Sequence, residues 1–173
     1  AHDCSLFLRE FDTGQGGHFI GERGLEEETL IKALREAEAE GEPVMLVGAT
    51  FSFVRFLDGC GERGLRFALP AGSRMADGGG YKGRARELTK AEFLTTVGQT
   101  LGLPESRCVN LLGITELTSL FFDNVLADAR SGWIPDRHKT NPPWTRTRAV
   151  GPETLALLPA GEVGLLRHWD LAN

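Results

Sequence analysis

Three short stretches of this chain hold residues whose types and spacing could do chemistry. The first is ADGGGYKGRARE, running from Ala76 to Glu87, in which Gly78, Gly80 and Gly83 satisfy the letters of G-x-G-x-x-G. A dinucleotide fingerprint also needs a helix that opens at once and an acidic residue about 20 positions on. Here the next helix signal is Thr89, and position 103 is a leucine. No G-x-x-x-x-G-K-[ST] stretch occurs, which excludes a P-loop of the NTPase kind. Two readings of the glycines stay open: a plain surface loop, or a place where backbone approaches a ligand more closely than a side chain would allow.

The second stretch is VNLLGITELTSLFFDN (Val109–Asn124), where an apolar run breaks at Gly113 and offers Thr115 and Glu116. Read as a strand handing over to a helix, it adds a hydroxyl to the N–H groups of a helix start, which suit phosphate. The carboxylate one residue later could hold a magnesium ion, which is usually bound through one or two carboxylates plus substrate phosphates. The same letters also describe a helix N-cap followed by an acidic residue that suits the macrodipole. The third place is Asp170 in LLRHWDLAN, at the end of a strand-like run, where it either binds a ribose diol or begins a turn.

The elements that must position these residues alternate along the chain. SLFL (Ser5–Leu8) and HFI (His18–Ile20) are short strand candidates. Leu30, Ile31, Leu34 and Ala37 have helical spacing, with Gly41 and Pro43 as the stop. VMLV (Val44–Val47) reads as a buried strand, FSFVRFLDGCGERG as a helix, and RFAL (Arg66–Leu69) as another strand. Thr89 and Glu92 form a capping-box pattern ahead of a helix that buries Phe93, Leu94, Val97 and Leu101. Cys108–Leu112 is a strand, and Leu117, Leu120 and Phe121 then share one face of a further helix. From Arg130 a loop rich in Pro and Trp leads into a strand pair turning near Pro159–Gly161. On that pair Arg146 and Arg148 alternate and share a face. Strands alternating with helices predict an α/β fold: a mostly parallel sheet with helical crossovers, followed by a loop-rich segment and short antiparallel strands. Residues 1–129 are expected to form an α/β subdomain and 130–173 its loop and strand extension.

Composition narrows the classes. The 173 residues, 41% hydrophobic and 25% charged, are ordinary for a globular chain long enough to bury a core. A net charge of −5 argues against nucleic acid as a partner. No membrane-length apolar run or signal peptide is visible. Cys4, Cys60 and Cys108 are odd in number and widely spaced, so a disulfide framework is not expected, and a cytoplasmic setting is. Cys60 and Cys108 read as buried apolar-type cysteines, and Trp133, Trp144 and Trp169 as packing residues. The four histidines show no metal-ligand spacing with the cysteines.

Taken in order, FALPAGSRMADGGGYKG, LLGITEL and GEVGLLRHWDLAN resemble the adenylate-forming acyl synthetases. More closely they resemble the acyl-protein synthetase branch, the long-chain-fatty-acid–luciferin-component ligases. Gly79-Gly80-Tyr81-Lys82-Gly83 matches that branch's Gly-Gly-aromatic-Lys-Gly loop, and Gly113-Ile114-Thr115-Glu116 its Gly-x-Thr-Glu turn. PPWTRTRAV also looks like that branch. The resemblance implies ATP and Mg2+ as cofactors, a fatty or other carboxylic acid as substrate, and a thiol acceptor as partner. By the same resemblance, Thr115 contacts the ATP phosphates and Glu116 ligates magnesium. Gly79, Gly80 and Tyr81 line the adenine pocket, Gly113 belongs to the same ATP-binding set, and Asp170 holds the ribose hydroxyls. Where the family carries an aromatic before Gly113, this chain has Leu112. Its first residues, Ala-His-Asp, and its last, Leu171-Ala172-Asn173, read as the ends of an internal fragment of the family's large N-terminal domain. That fragment is expected to be incomplete and inactive, without the upstream phosphate loop and the small C-terminal domain. Two other readings remain: a non-catalytic α/β binding module, and a dinucleotide-binding oxidoreductase domain.

Overall fold

A computed structural model describes residues 16–22, 24–81, 83–131 and 136–172. The expected strand at Ser5–Leu8, and Cys4, Lys82 and Trp133, lie outside the described residues. The chain divides into two compact units, Ala1–Asn110 and Leu111–Asn173.

The first unit opens with a minimal antiparallel pair, β1 (Ile20–Gly21) and β2 (Gly24–Leu25). Helix α1 (Glu27–Glu40) buries Leu30, Leu34 and Ala37, one stripe at i, i+4 and i+7. It stops at Gly41, whose φ of 72° places the left-handed cap that glycine favours. Strand β3 (Met45–Ala49) runs directly into α2 (Thr50–Glu62), which returns the chain to β4 (Arg74–Gly78). β3 and β4 pair in parallel with Gly48 opposite Asp77, the geometry a helical crossover permits. Helix α3 (Lys90–Leu101) starts on the predicted capping box: Thr89 accepts from the Glu92 N–H while the Glu92 carboxylate accepts from the Thr89 N–H. A 3-10 turn (Glu105–Arg107) leads into β5 (Cys108–Leu112), the neighbour of β4. Phe56, Val54, Phe93, Val97, Leu101 and Met75 form the centre of the core, each 2% exposed or less. Burial of each such side chain stabilises by roughly 1.5–3 kcal/mol.

Two expectations in this unit are corrected. Arg66–Leu69 is not a strand: Phe67 N–H donates to Thr100 O at 2.7 Å and Leu69 N–H to Leu101 O at 3.2 Å. The segment satisfies carbonyls that the last turn of α3 leaves without a helical partner. A Cβ at Gly102 would press on Phe67 O and Ala68 Cα at 3.2 Å, and its φ of +71° is a conformation that glycine favours. Conversely, Ala76–Gly78, read from sequence as the front of a glycine stretch, belongs to a strand, Arg74–Gly78, with Met75, Ala76 and Asp77 buried.

In the second unit Leu111 and Leu112 at the end of β5 pair antiparallel with β6 (Phe121–Phe122). A short helix α4 (Val125–Ser131) follows. The predicted strand pair is present as β7 (Thr145–Val150) and β8 (Leu165–Asp170), antiparallel along all six residues. The helix expected through Leu117, Leu120 and Phe121 does not form. Those positions lie in and after the hairpin loop, and Phe121, 2% exposed, sits opposite Leu112. A short apolar run with two adjacent phenylalanines fits both periods, and cross-strand pairing chose the strand.

Candidate functional site

In the first unit the glycine turn begins where β4 ends, at the carboxyl end of the parallel pair, the side on which α/β sheets receive ligands. Gly79 has φ +72° and Gly83 φ +65°, conformations that L side chains rarely adopt. Among the described residues, a Cβ built on Gly79, Gly80 or Gly83 meets no atom within 4 Å. The turn therefore presents bare backbone to open space. Tyr81 closes it from behind: its ring packs half-buried against the core cluster, and its hydroxyl donates to Leu88 O at 2.8 Å. Below the turn Asp77 is 1% exposed, and its Oδ2 accepts from Thr50 Oγ1 at 2.8 Å and Asn110 Nδ2 at 2.9 Å.

In the second unit Gly113, Thr115 and Glu116 lie in the loop joining β5 to β6, all three exposed. Leu117 N–H donates to Ile114 O at 3.0 Å, which closes a turn around Thr115 and Glu116. Thr115 is thus neither a helix N-cap nor a hydroxyl added to a helix start, because no helix begins there. A Cβ on Gly113 would come 2.8 Å from Leu120 Cδ2, so a side chain at 113 would push against the far arm of the loop. Asp170, the last residue of β8, is brought to this same loop: its Oδ2 accepts from the Ser119 N–H at 2.9 Å and its Oδ1 from the Ala172 N–H at 2.9 Å. Partial desolvation pushes its carboxyl up. The N–H donors of Ala172, Ser119 and Thr118, with the Ser119 side chain, outweigh this and hold it below the ordinary value of 3.8. Trp144 Nε1 donates to Ser119 Oγ at 2.7 Å, a second tie from β-strand flank to loop.

The structure therefore places Gly79, Gly80 and Tyr81 in the first unit and Gly113, Thr115, Glu116 and Asp170 in the second, where it joins Asp170 to the Thr115–Glu116 loop. Among the described residues no group of three or more His, Cys, Asp or Glu side chains could hold a metal ion. Cys60 and Cys108 are buried as expected, and burial pushes the Cys60 thiol up, away from nucleophilic use. Trp144 and Trp169 are less packed than expected, at 51% and 44% exposed. The guanidinium groups of Arg146 and Arg167 lie over the Trp169 ring, each 5.9 Å from the centroid.

Sequence reasoning missed several polar residues around these loops. Asn110 escaped inside the apolar run Cys108–Leu112, Thr50 falls between the strand and the helix read from sequence, and Asp77 stands in the glycine stretch. The available signal was a carboxylate directly before a glycine run. Asp123, 8% exposed, escaped as well: it binds Arg137 at 2.7 Å and Lys139 at 2.9 Å, 14 and 16 positions further along the chain.

This fold is found in part of each of several solved structures. MatB from Rhodopseudomonas palustris, solved with ATP bound, superposes with a TM-score of 0.59 at 16% identity, covering 87% of this chain and 25% of that one. A long-chain-fatty-acid-CoA ligase (FadD1) from Archaeoglobus fulgidus gives 0.53 at 14% identity, over 85% of this chain and 28% of that one. The architecture is thus that of a segment of these two proteins. The family model described as Acyl-protein synthetase, LuxE matches residues 21–173, and the chain belongs to that family. The long-chain-fatty-acid–luciferin-component ligase of Aliivibrio fischeri is 25% identical over 148 residues, covering 84% of this chain and 36% of that protein. The chain spans about a third of the length of that relative. Among the described residues no helix is long and apolar enough to cross a membrane.

Proposed function

We propose that this chain is the ATP-binding subdomain of a ligase that activates a fatty or related carboxylic acid as its acyl-adenylate, for transfer to a thiol. The observation that carries the reading is the bare glycine turn at the carboxyl end of the β3–β4 pair, in a chain of the acyl-protein synthetase family. A flat nucleobase can lie against backbone only where no Cβ intervenes, and positions 79 and 80 offer that space. Asp170, at the end of β8, keeps its carboxylate ionised for a pair of ribose hydroxyls by holding N–H donors of its own. Thr115 and Glu116, exposed on a closed turn, suit a phosphate and its magnesium. A single protein carboxylate is an adequate anchor for Mg2+ because the phosphates complete its shell. In the reaction the substrate carboxylate attacks the α-phosphorus and pyrophosphate leaves. A thiol then attacks the acyl carbonyl and AMP leaves. The chain's own share is to orient the nucleotide and stabilise charge developing on phosphate.

One observation favours a second reading. Leu112, where the family places an aromatic, is half-buried and paired with Phe121, so it offers a smaller platform to a base. On that reading the fold is a binding module without adenylating activity. Carboxylate-dependent exchange of labelled pyrophosphate into ATP by the full-length protein separates the two. The ligase reading expects exchange with fatty acids and a drop of about 10²-fold on Glu116→Ala. No exchange with any fatty or aromatic acid, together with no effect of Glu116→Ala on ATP binding, rejects it.

A further inference from the structure

The end of β4 stands on a buried polar cluster that draws on three elements. Thr50 is the first residue of α2, Asp77 the penultimate residue of β4, and Asn110 the middle residue of β5. Thr50 is 6% exposed and Asp77 1%. Besides its contact to Asp77 Oδ2, Thr50 Oγ1 lies 3.1 Å from Gly78 O and 3.2 Å from Gly79 O. The single hydroxyl proton thus has three acceptors within reach around the start of the turn, the closest being Asp77 Oδ2. Asn110 Nδ2 reaches both Asp77 Oδ2, at 2.9 Å, and the Asp77 backbone carbonyl, at 3.2 Å. Among the described residues Asp77 Oδ1 has no hydrogen-bond partner, and Lys90 Nζ lies 3.9 Å from it.

A carboxylate this deep is costly to keep, and an apolar side chain would fill the same space at lower cost. What the cluster does is visible in what it touches. Consecutive glycines have no side chains to hold their peptide planes, so the turn has the most backbone freedom just where a ligand would need it fixed. The geometry points to Thr50 as a positioning residue: its hydroxyl, shared between Asp77 and the Gly78 and Gly79 carbonyls, fixes the peptide planes of the glycine turn. Asp77 and Asn110 hold that hydroxyl in place. The turn is thereby ordered before the nucleotide arrives, and the ordering cost is removed from binding. The statement about nucleotide rests on the function proposed above; the statement about the turn does not.

The test compares Thr50→Val, which keeps the shape and removes the hydroxyl, with Thr50→Ser, which returns it, in the full-length protein. Thr50→Ala supplies the same comparison if the valine variant does not fold. Two quantities are read: ATP affinity at equilibrium, and hydrogen–deuterium exchange of residues 74–81 without nucleotide. Loss of the shared hydrogen bond should weaken ATP about tenfold and speed exchange in the segment, with serine restoring both. In pyrophosphate exchange the effect should appear in the KM for ATP rather than in kcat. Wild-type exchange and affinity in the valine variant overturn the role, and so does a serine variant no better than valine. If the wild type binds no ATP, the proposed function fails on its own. The exchange data then decide the positioning role: faster in valine and restored in serine sustains it, and equal rates overturn it.

Discussion

The sharpest test of the nucleotide reading is a methyl group on the glycine turn. At Gly80 the backbone is outside the left-handed region, and a Cβ would have no neighbour within 4 Å. Gly80→Ala should therefore change folding stability by no more than about 0.5 kcal/mol, as for other surface positions. Gly79 differs: its φ of +72° makes alanine strained by about 1–2 kcal/mol even in open space. If a base lies against this turn, the alanine methyl at 80 occupies the volume of its near face. Forcing one extra methyl into a packed contact costs about 1–3 kcal/mol, roughly a tenfold to hundredfold loss in affinity. Thermal unfolding and equilibrium ATP binding on the same full-length samples read both quantities. The expected pattern is a stability-neutral Gly80→Ala with weakened ATP, beside a Gly79→Ala that loses both. A Gly80→Ala protein that binds ATP like the wild type refutes the placement of the base. One destabilised as much as Gly79→Ala refutes the open geometry itself.

Two further outcomes follow from the second unit. The folded-state value of Asp170 lies below 3.8, so its contribution is fully present above 3.8 and is lost as pH falls through the lowered folded value. The Ser119 amide resonance should stay constant down to that region and shift below it, and Asp170→Asn should abolish the shift; a transition above 3.8 contradicts the donor set described here. Asp123→Ala leaves Arg137 and Lys139, with side chains 16% and 31% exposed, without the carboxylate they share. Denaturant unfolding should show a loss of about 3 kcal/mol, and a loss under about 1 kcal/mol means that solvent already screens the pair.

Where local chemistry decides the outcome, the chain was legible. The stripe Leu30, Leu34, Ala37 and the stop at Gly41 appear as read, because helix period and a left-handed cap are properties of neighbouring residues. The Thr89–Glu92 box is likewise local. The errors share a cause. Arg66–Leu69 looks like a strand until its N–H groups are given to α3 carbonyls more than 30 residues on. Leu117–Phe121 looks helical until Phe121 is set opposite Leu112. In each case the hydrogen-bond partner sits on another element, which the periodicity of a single segment does not report.

The same division runs through the candidate site. The types and order of its residues, a glycine run, then Thr115-Glu116, then Asp170, are written in the sequence and place the chain in its family. Only the tertiary structure shows that Asp170 grips the loop of Thr115 and Glu116 through the Ser119 N–H, 51 residues away. Only it shows that the glycine turn rests on Thr50, Asp77 and Asn110. Side-chain chemistry belongs to a residue alone, whereas burial and long-range hydrogen bonds exist only once distant segments have packed together, and those are what give a site its geometry.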